Sequence, residues 1–215
     1  MHTTSATTRV YHHLKRAILE QMHPGGTLLT EAEIADAVGV SRTPVREALL
    51  RLESEGLVAL YPKRGALVLP VSAQEINEVV EARLLVEGHA AAKVWPRRDE
   101  LIPTLESLRD RMRAARLAGD VPAMMEADRG FHAAVVDAAG NRILADLYHR
   151  LRDRQMRMGV ASFRLAPARM DTALTEHEQL LDGLRAAPDD RAARRWVDLV
   201  AAHITTAAEH LRGLR

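Results

Sequence analysis

The segment from Thr30 to Gly56 constrains this chain more than any other, because its start and stop signals leave room for two short helices and a sharp turn. Thr30 followed three residues later by Glu33 makes a capping box that starts a helix over 31–37, ending at Val38. Gly39 then permits the left-handed turn that stops it. Ser41 is expected to cap a second helix over 42–55, with Pro44 tolerated in its first turn and Gly56 beyond its end. Two helices joined in this way form a helix-turn-helix. In the second helix Val45, Ala48, Leu49 and Leu52 share an apolar face, which leaves Arg42, Thr43, Arg46 and Glu47 around the solvent side. A recognition helix carries its base-reading and phosphate-binding groups there. Two apolar runs, 57–61 and 66–69, flank Pro62-Lys63-Arg64-Gly65, which predicts a hairpin with a basic tip. The local charge excess is modest, five cations to three anions over 41–70, so an ordinary helical hairpin with a solvated charged face remains the alternative.

Elsewhere the apolar period is helical. It predicts helices over 9–22, 73–94, 98–118, 121–139, 142–160, 168–186 and 190–212. Pro70 closes the hairpin and Ser72 can cap the helix that follows, which places a boundary at 70–73 and domains at 1–70 and 73–215. The expected fold is mainly α: an N-terminal winged helix-turn-helix and a C-terminal all-helical bundle. Aromatic residues are only 3% of the chain, so the core must be built from Leu, Val, Ala and Met, which suits helices packed on helices. With 30 Lys and Arg against 29 Asp and Glu, a uniformly basic nucleic-acid coat is excluded. The absence of cysteine excludes disulfides, thiolate zinc sites and cysteine nucleophiles. No run of 18 apolar residues suggests a membrane span, and the polar opening Met1–Thr8 lacks a signal-peptide core, so a cytoplasmic location is expected.

Polar residues in the middle of apolar helix stripes are costly unless paired or ligated. In 121–139 Asp128 and His132 stand four apart within the stripe of Met124, Met125, Phe131 and Val135. His177 is central in 168–186, and His203 is central in 190–212 with His210 beside it. Three imidazoles and one carboxylate suit a divalent metal, zinc first, with nickel, manganese or iron as alternatives. A satisfied core histidine, or an Asp128–His132 ion pair, is the competing reading. Arg83 and Glu87 also lie inward, as a carboxylate-binding arginine or as an internal salt bridge, and Arg154 shares a face with Leu147, Leu151 and Met158. Asn141 either caps the helix beginning at Arg142 or faces a ligand.

The wording Val40-Ser41-Arg42-Thr43-Pro44-Val45-Arg46-Glu47-Ala48-Leu49, with Leu52-Glu53-Ser54-Glu55-Gly56 after it, resembles the GntR family of bacterial transcription regulators. The resemblance implies DNA contacts from Arg42, Thr43, Arg46, Arg64 and Gly65. Some members carry Arg where Ala32 stands, so one contact is absent here. The second half resembles the FCD ligand-binding domain of the FadR subfamily through Glu81-Ala82-Arg83 to Glu87, Asp128-Arg129-Gly130-Phe131-His132, Ala139-Gly140-Asn141, His177 and His203-Ile204. That implies a metal on Asp128, His132, His177 and His203, and a small carboxylate effector near Arg83, Asn141 and Arg154. The interval of 26 residues from His177 to His203 is longer than the family's, which keeps His210 and His149 as alternatives for the last ligand.

The function expected is a metabolite-responsive DNA-binding regulator, a repressor by resemblance, acting as a homodimer on double-stranded operator DNA. The alternative is a helical metalloenzyme using the three-His, one-Asp site. It lacks a His-Glu-x-x-His or Glu-x-x-His motif and any evident general base.

Overall fold

A computed structural model describes residues 5–186 and 189–213; Met1–Thr4 of the polar opening lie outside the described residues. The chain divides into two compact units, Met1–Val71 and Ser72–Arg215.

In the first unit, the Ser5 hydroxyl accepts from the Thr8 amide and starts α1 (Ala6–Leu19), three residues earlier than the periodicity suggested. After β1 (Leu28–Leu29), the Thr30–Glu33 capping box opens α2 (Glu31–Val38), and Gly39 ends it in the left-handed conformation. α3 (Arg42–Ser54) follows. Its N-cap, Ser41, is extended but makes no side-chain capping bond, contrary to the expectation. β2 (Val58–Tyr61) and β3 (Gly65–Val68) form the hairpin, with Tyr61 opposite Gly65. β3 also pairs with β1, Leu29 opposite Ala66, giving an antiparallel sheet of order β1-β3-β2. The two-residue β1 is too short to show a period, so sequence pattern did not reveal it. Gly65 explains itself here: its φ is 117°, and a Cβ would stand 2.2 Å from the Leu29 carbonyl oxygen. The core joins Val10, Leu14 and Ile18 of α1 to Ala48, Leu49 and Leu52 of α3 and Val58 and Val68 of the sheet. At the far end of α3, Tyr11 and Lys15 both donate to Glu55, at 2.7 and 2.8 Å, tying α1 to α3.

The second unit is all helix: α4 (Ala73–Val94), a 3-10 turn (Trp95–Arg97), α5 (Arg98–Ala118), α6 (Val121–Ala138), α7 (Arg142–Arg150), α8 (Arg152–Leu165), α9 (Ala168–Arg185) and α10 (Asp190–Gly213). Ser72 caps α4 through the Glu75 amide. The continuous helix expected over 142–160 is instead broken at Leu151, whose amide bonds back to the Tyr148 carbonyl. One apolar cluster centres on Trp196, Tyr148, Phe131 and Leu105, and a second, methionine-rich, on Met112, Met124, Met125 and Met156. Scarce as aromatics are, Trp196, Tyr148 and Phe131 are among the largest fully buried side chains. Among the described residues no helix is long and apolar enough to cross a membrane.

Candidate metal centre and nucleic-acid interface

Four buried side chains from three helices meet in the second unit. α6 supplies Asp128 and His132, α9 His177 and α10 His203, and one potential ligand atom from each lies within 4.8 Å of all the others. Donors bound at about 2.0–2.2 Å to one ion stand roughly 3–4 Å apart, so only small inward shifts are needed. The backs of the three rings are held. His132 Nδ1 lies 2.8 Å from Glu87 Oε2, His203 Nδ1 lies 2.7 Å from Glu176 Oε2, and His177 Nδ1 lies 2.7 Å from the Ala173 carbonyl. Acceptors behind metal-binding histidines commonly fix the tautomer and ring orientation. The Nε2 atoms therefore face one another: those of His132 and His203 are 3.1 Å apart. His177 Nε2 is 3.6 Å from Asp128 Oδ1 and is buried without a hydrogen-bond partner. A buried nitrogen left unsatisfied among two imidazoles and a carboxylate is what a cation would complete, and the donor set fits a divalent ion.

Electrostatics agree. Burial pushes the His177 imidazole down to about 3, against the pull of Asp128, and burial also lowers His203 against its bond to Glu176. Neutral imidazole is the ligating form. Burial alone would raise Asp128, but the three imidazoles and Arg83 outweigh it and hold the carboxyl low. His149, exposed and 2.9 Å from Asp137, and His210, exposed against the Thr206 carbonyl, stay outside the cluster. The long His177–His203 interval is no obstacle to His203 taking part.

A cavity of about 60 Å³ opens beside the tetrad, with Asp128, His203, Arg83, Gln155 and Arg169 among its walls. Of the two readings of Arg83, the internal salt bridge is present, its Nε 2.6 Å from Glu87 Oε1, and the residue also lines the cavity. The Tyr148 hydroxyl donates to the same carboxylate oxygen at 2.8 Å. Asn141 and Arg154 do not line this cavity. The Asn141 side chain accepts from the Leu144 amide and caps α7. Arg154 is half exposed and 3.5 Å from Glu75, while Arg157 is the arginine that α8 buries. The break at Leu151 resets the helical phase, so the face deduced from a continuous helix was the wrong one.

Sequence reasoning overlooked Glu176, Arg169 and Gln155. The first two would have yielded to the same angular test, since Arg169, Ala173 and Glu176 follow one another at helical spacing on α9.

In the first unit, Arg42 and Arg46 on α3 and Lys63, Arg64 and Gly65 at the hairpin tip line one groove. Thr43 is exposed in the first turn of α3. Arg46 is also exposed, and its Nε donates to both oxygens of Glu31 at 2.7 and 2.8 Å. That bond and the positive charge of Arg46 hold the Glu31 carboxyl below its ordinary range. Ala32 lines the same groove and contributes no polar group.

Residues 6–68 match the family model of bacterial regulatory proteins of the gntR family, and residues 78–206 match that of the FCD domain. A helix-turn-helix transcriptional regulator from the TAR-I ttuE-ttuC' intergenic region of Agrobacterium vitis is 36% identical over 133 residues, 60% of this chain and 78% of that one. The transcriptional repressor RspR of Escherichia coli is 26% identical over 99% of this chain and 92% of its own. In structure, a GntR regulator from Rhodococcus sp. RHA1 superposes with a TM-score of 0.75 at 23% identity, covering 98% of this chain and 99% of that one.

Proposed function

The chain belongs to the GntR family of bacterial regulatory proteins and carries an FCD domain, which makes it a transcriptional regulator and not an enzyme; from that premise we propose that it represses transcription by binding a two-fold operator as a homodimer, and that a metal-assisted small carboxylate controls this binding. The observation that carries the proposal is the convergence of the His132 and His203 imidazoles and Asp128 on the buried His177 Nε2, which has no hydrogen-bond partner. Asp128, His132, His177 and His203 would hold the ion, zinc by its preference for nitrogen and oxygen donors in such a set. The ion would supply a positive, partly open coordination position for a carboxylate oxygen. Arg83 faces the same cavity and adds a second positive group there.

Arg42, Thr43, Arg46, Arg64 and Gly65 form the proposed DNA surface. Arg46 projects from the helix that would enter the major groove, where arginine pairs with guanine through two hydrogen bonds. Arg42, Lys63 and Arg64, which line the same groove, would meet phosphates. Gly65 serves by keeping the hairpin tip close to β1. Since one such surface carries few cations, two of them on a dimer give useful affinity.

The test begins with an operator selected from a random duplex pool by the full-length protein. Its binding is then measured with zinc-loaded and chelator-stripped protein, with and without a panel of small acids. An acid is expected to change operator affinity in the loaded protein only. Equal responses in loaded and stripped protein would overturn the metal-assisted control, and equal affinity for operator and random DNA would overturn the operator reading. Sedimentation at micromolar concentration checks the dimer.

A further inference from the structure

The groove between α3 and the hairpin is lined by the cations Arg42, Arg46, Lys63 and Arg64, and by one acid, Glu31. A carboxylate on a surface that meets a polyanion works against affinity, so its presence calls for a reason. Helix capping does not supply one. An acidic residue is favoured in a first helical turn, but Glu33 already closes the α2 capping box with Thr30. What Glu31 holds is Arg46: both of its oxygens accept from Nε, at 2.7 and 2.8 Å. The same bond keeps the Glu31 carboxyl below its ordinary range, so it is anionic at neutral pH. With alanine at position 32, α2 has no arginine of its own in the groove, and Glu31 is its charged contribution there.

Which nitrogen is held matters. A guanidinium can grip a pair of acceptors sideways, through Nε and one Nη, or end-on, through Nη1 and Nη2. Glu31 takes Nε and leaves the end-on fork, whose Nη1 and Nη2 bond to none of the described residues. The Arg46 side chain is 65% exposed against 28% for Glu31, so the pair has its seated end at the carboxylate and its open end at the arginine. The two kinds of acceptor on a duplex respond differently to such a pair. A phosphate brings a second negative charge up to Glu31, and the like charges repel. The O6 and N7 atoms of guanine are neutral, accept from the end-on fork and meet no such repulsion. An arginine without a holder is also free to swing to any phosphate in reach, whereas here much of the ordering is done before DNA arrives.

We infer that Glu31 is a positioning residue for sequence reading: it aims Arg46 at a guanine edge and turns it away from phosphates, so that one carboxylate lowers affinity for random DNA and raises the preference for the operator. This rests on the proposed DNA surface, with Arg46 as its base-reading arginine.

The test uses the full-length protein and the operator selected from the random duplex pool. Repeating the selection with Arg46→Ala identifies the base pair that Arg46 reads, as the position whose guanine preference disappears. Affinities for the operator, for the operator with adenine in place of that guanine, and for random duplex are then measured against salt for wild type, Glu31→Gln and Glu31→Ala. Both variants are expected to bind random DNA more tightly than wild type, with the slope of log affinity against log salt steeper by about 0.9, one further phosphate neutralised. In Glu31→Ala the preference for guanine over adenine should fall about fivefold or more, the lower end of what a bidentate arginine–guanine pair discriminates. Glu31→Gln, whose amide oxygen can still accept from Nε, should keep more of it. Added to Arg46→Ala, Glu31→Ala should leave base preference unchanged, since no arginine remains to aim. Random-DNA affinity that stays level or falls in both variants, or a guanine preference intact in Glu31→Ala, overturns the inference and leaves the DNA surface in place. Equal weakening on every duplex makes Glu31 a structural clasp alone and overturns it too. A wild-type selection that enriches no sequence, or an Arg46→Ala selection that alters no position, overturns the reading of Arg46 and the inference with it. Denaturant melts check each variant; if Glu31→Ala does not fold, the random-DNA affinity and salt slope of Glu31→Gln decide.

Discussion

The two units of this protein keep their polar chemistry in opposite places. All nine buried polar or charged side chains among the described residues lie between Glu87 and His203, in the helical unit, and none lies in the winged unit. The winged unit has a core that is apolar but for the Tyr11 hydroxyl, and carries its arginines on the outside, where a charge costs little and a macromolecule can reach it. The helical unit encloses carboxylates, imidazoles and guanidiniums, which is expensive unless each is answered. A surface that reads a large partner can stay open. A pocket that selects a small one has to exclude water, and it accepts incomplete satisfaction until that ligand arrives. Stability in the first unit thus comes mainly from packing, with the Tyr11 and Lys15 bonds to Glu55 added at the surface, whereas in the second it would be linked to whatever completes the buried tetrad.

Variants can break or sharpen this contrast. The largest effect is expected from His132→Ala, which removes a ring nitrogen facing the tetrad. Zinc affinity should fall by more than about 100-fold, beyond the range produced by altering groups behind the ligands. Operator binding without effector should persist, as metal analysis and DNA titration on one preparation would show. Glu176→Gln leaves His203 in place but removes the negative charge behind it, so zinc affinity should drop about 10–100-fold. Loss of metal in neither variant would erase the distinction between the units. Arg64→Ala, on the hairpin tip, should weaken DNA binding nearly alike across sequences and lower the salt dependence by about one phosphate contact, with zinc untouched. The smallest effect concerns acid. Burial alone would raise the Glu55 carboxyl, but bonds from Lys15 and Tyr11 and the charge of Arg51 bring it below its ordinary value. Its stabilising contribution is therefore fully present above the unfolded value of about 4.3 and is lost as pH falls through the lower folded value. Glu55→Gln should cost about 1 kcal/mol at pH 7 and less at pH 3, read from denaturant melts of the winged unit's signal.

The winged unit was the more legible of the two in sequence, and for a physical reason. Its determinants are local: Thr30 and Glu33 lie three apart, Gly39 must be left-handed, and the hairpin residues are neighbours. Ser41 was the local signal that misled, since a good capping residue does not oblige its hydroxyl to bond. In the helical unit the four inward polar residues could be found by angle along each helix, and the fold brings those four together. The groups behind them were harder. An Arg83–Glu87 salt bridge was one of the two readings left open, and it forms, but nothing in periodicity tells that His132 approaches the other Glu87 oxygen. Leu151 is marked by neither glycine nor proline, so the joint between α7 and α8 was invisible and Arg154 was placed on the wrong face.

The close seat of Gly65 on Leu29 has a mechanical consequence. Through β1 the hairpin is stitched to the residues that immediately precede α2, and the Glu31–Arg46 bond then clasps α2 to α3. Tip, sheet and both helices form one stamp, with no slack seam along which the hairpin could swing away from the arginines of α3. A signal that arrives from elsewhere can carry this stamp or leave it where it stands; bending it would mean tearing the ladder from its edge strand.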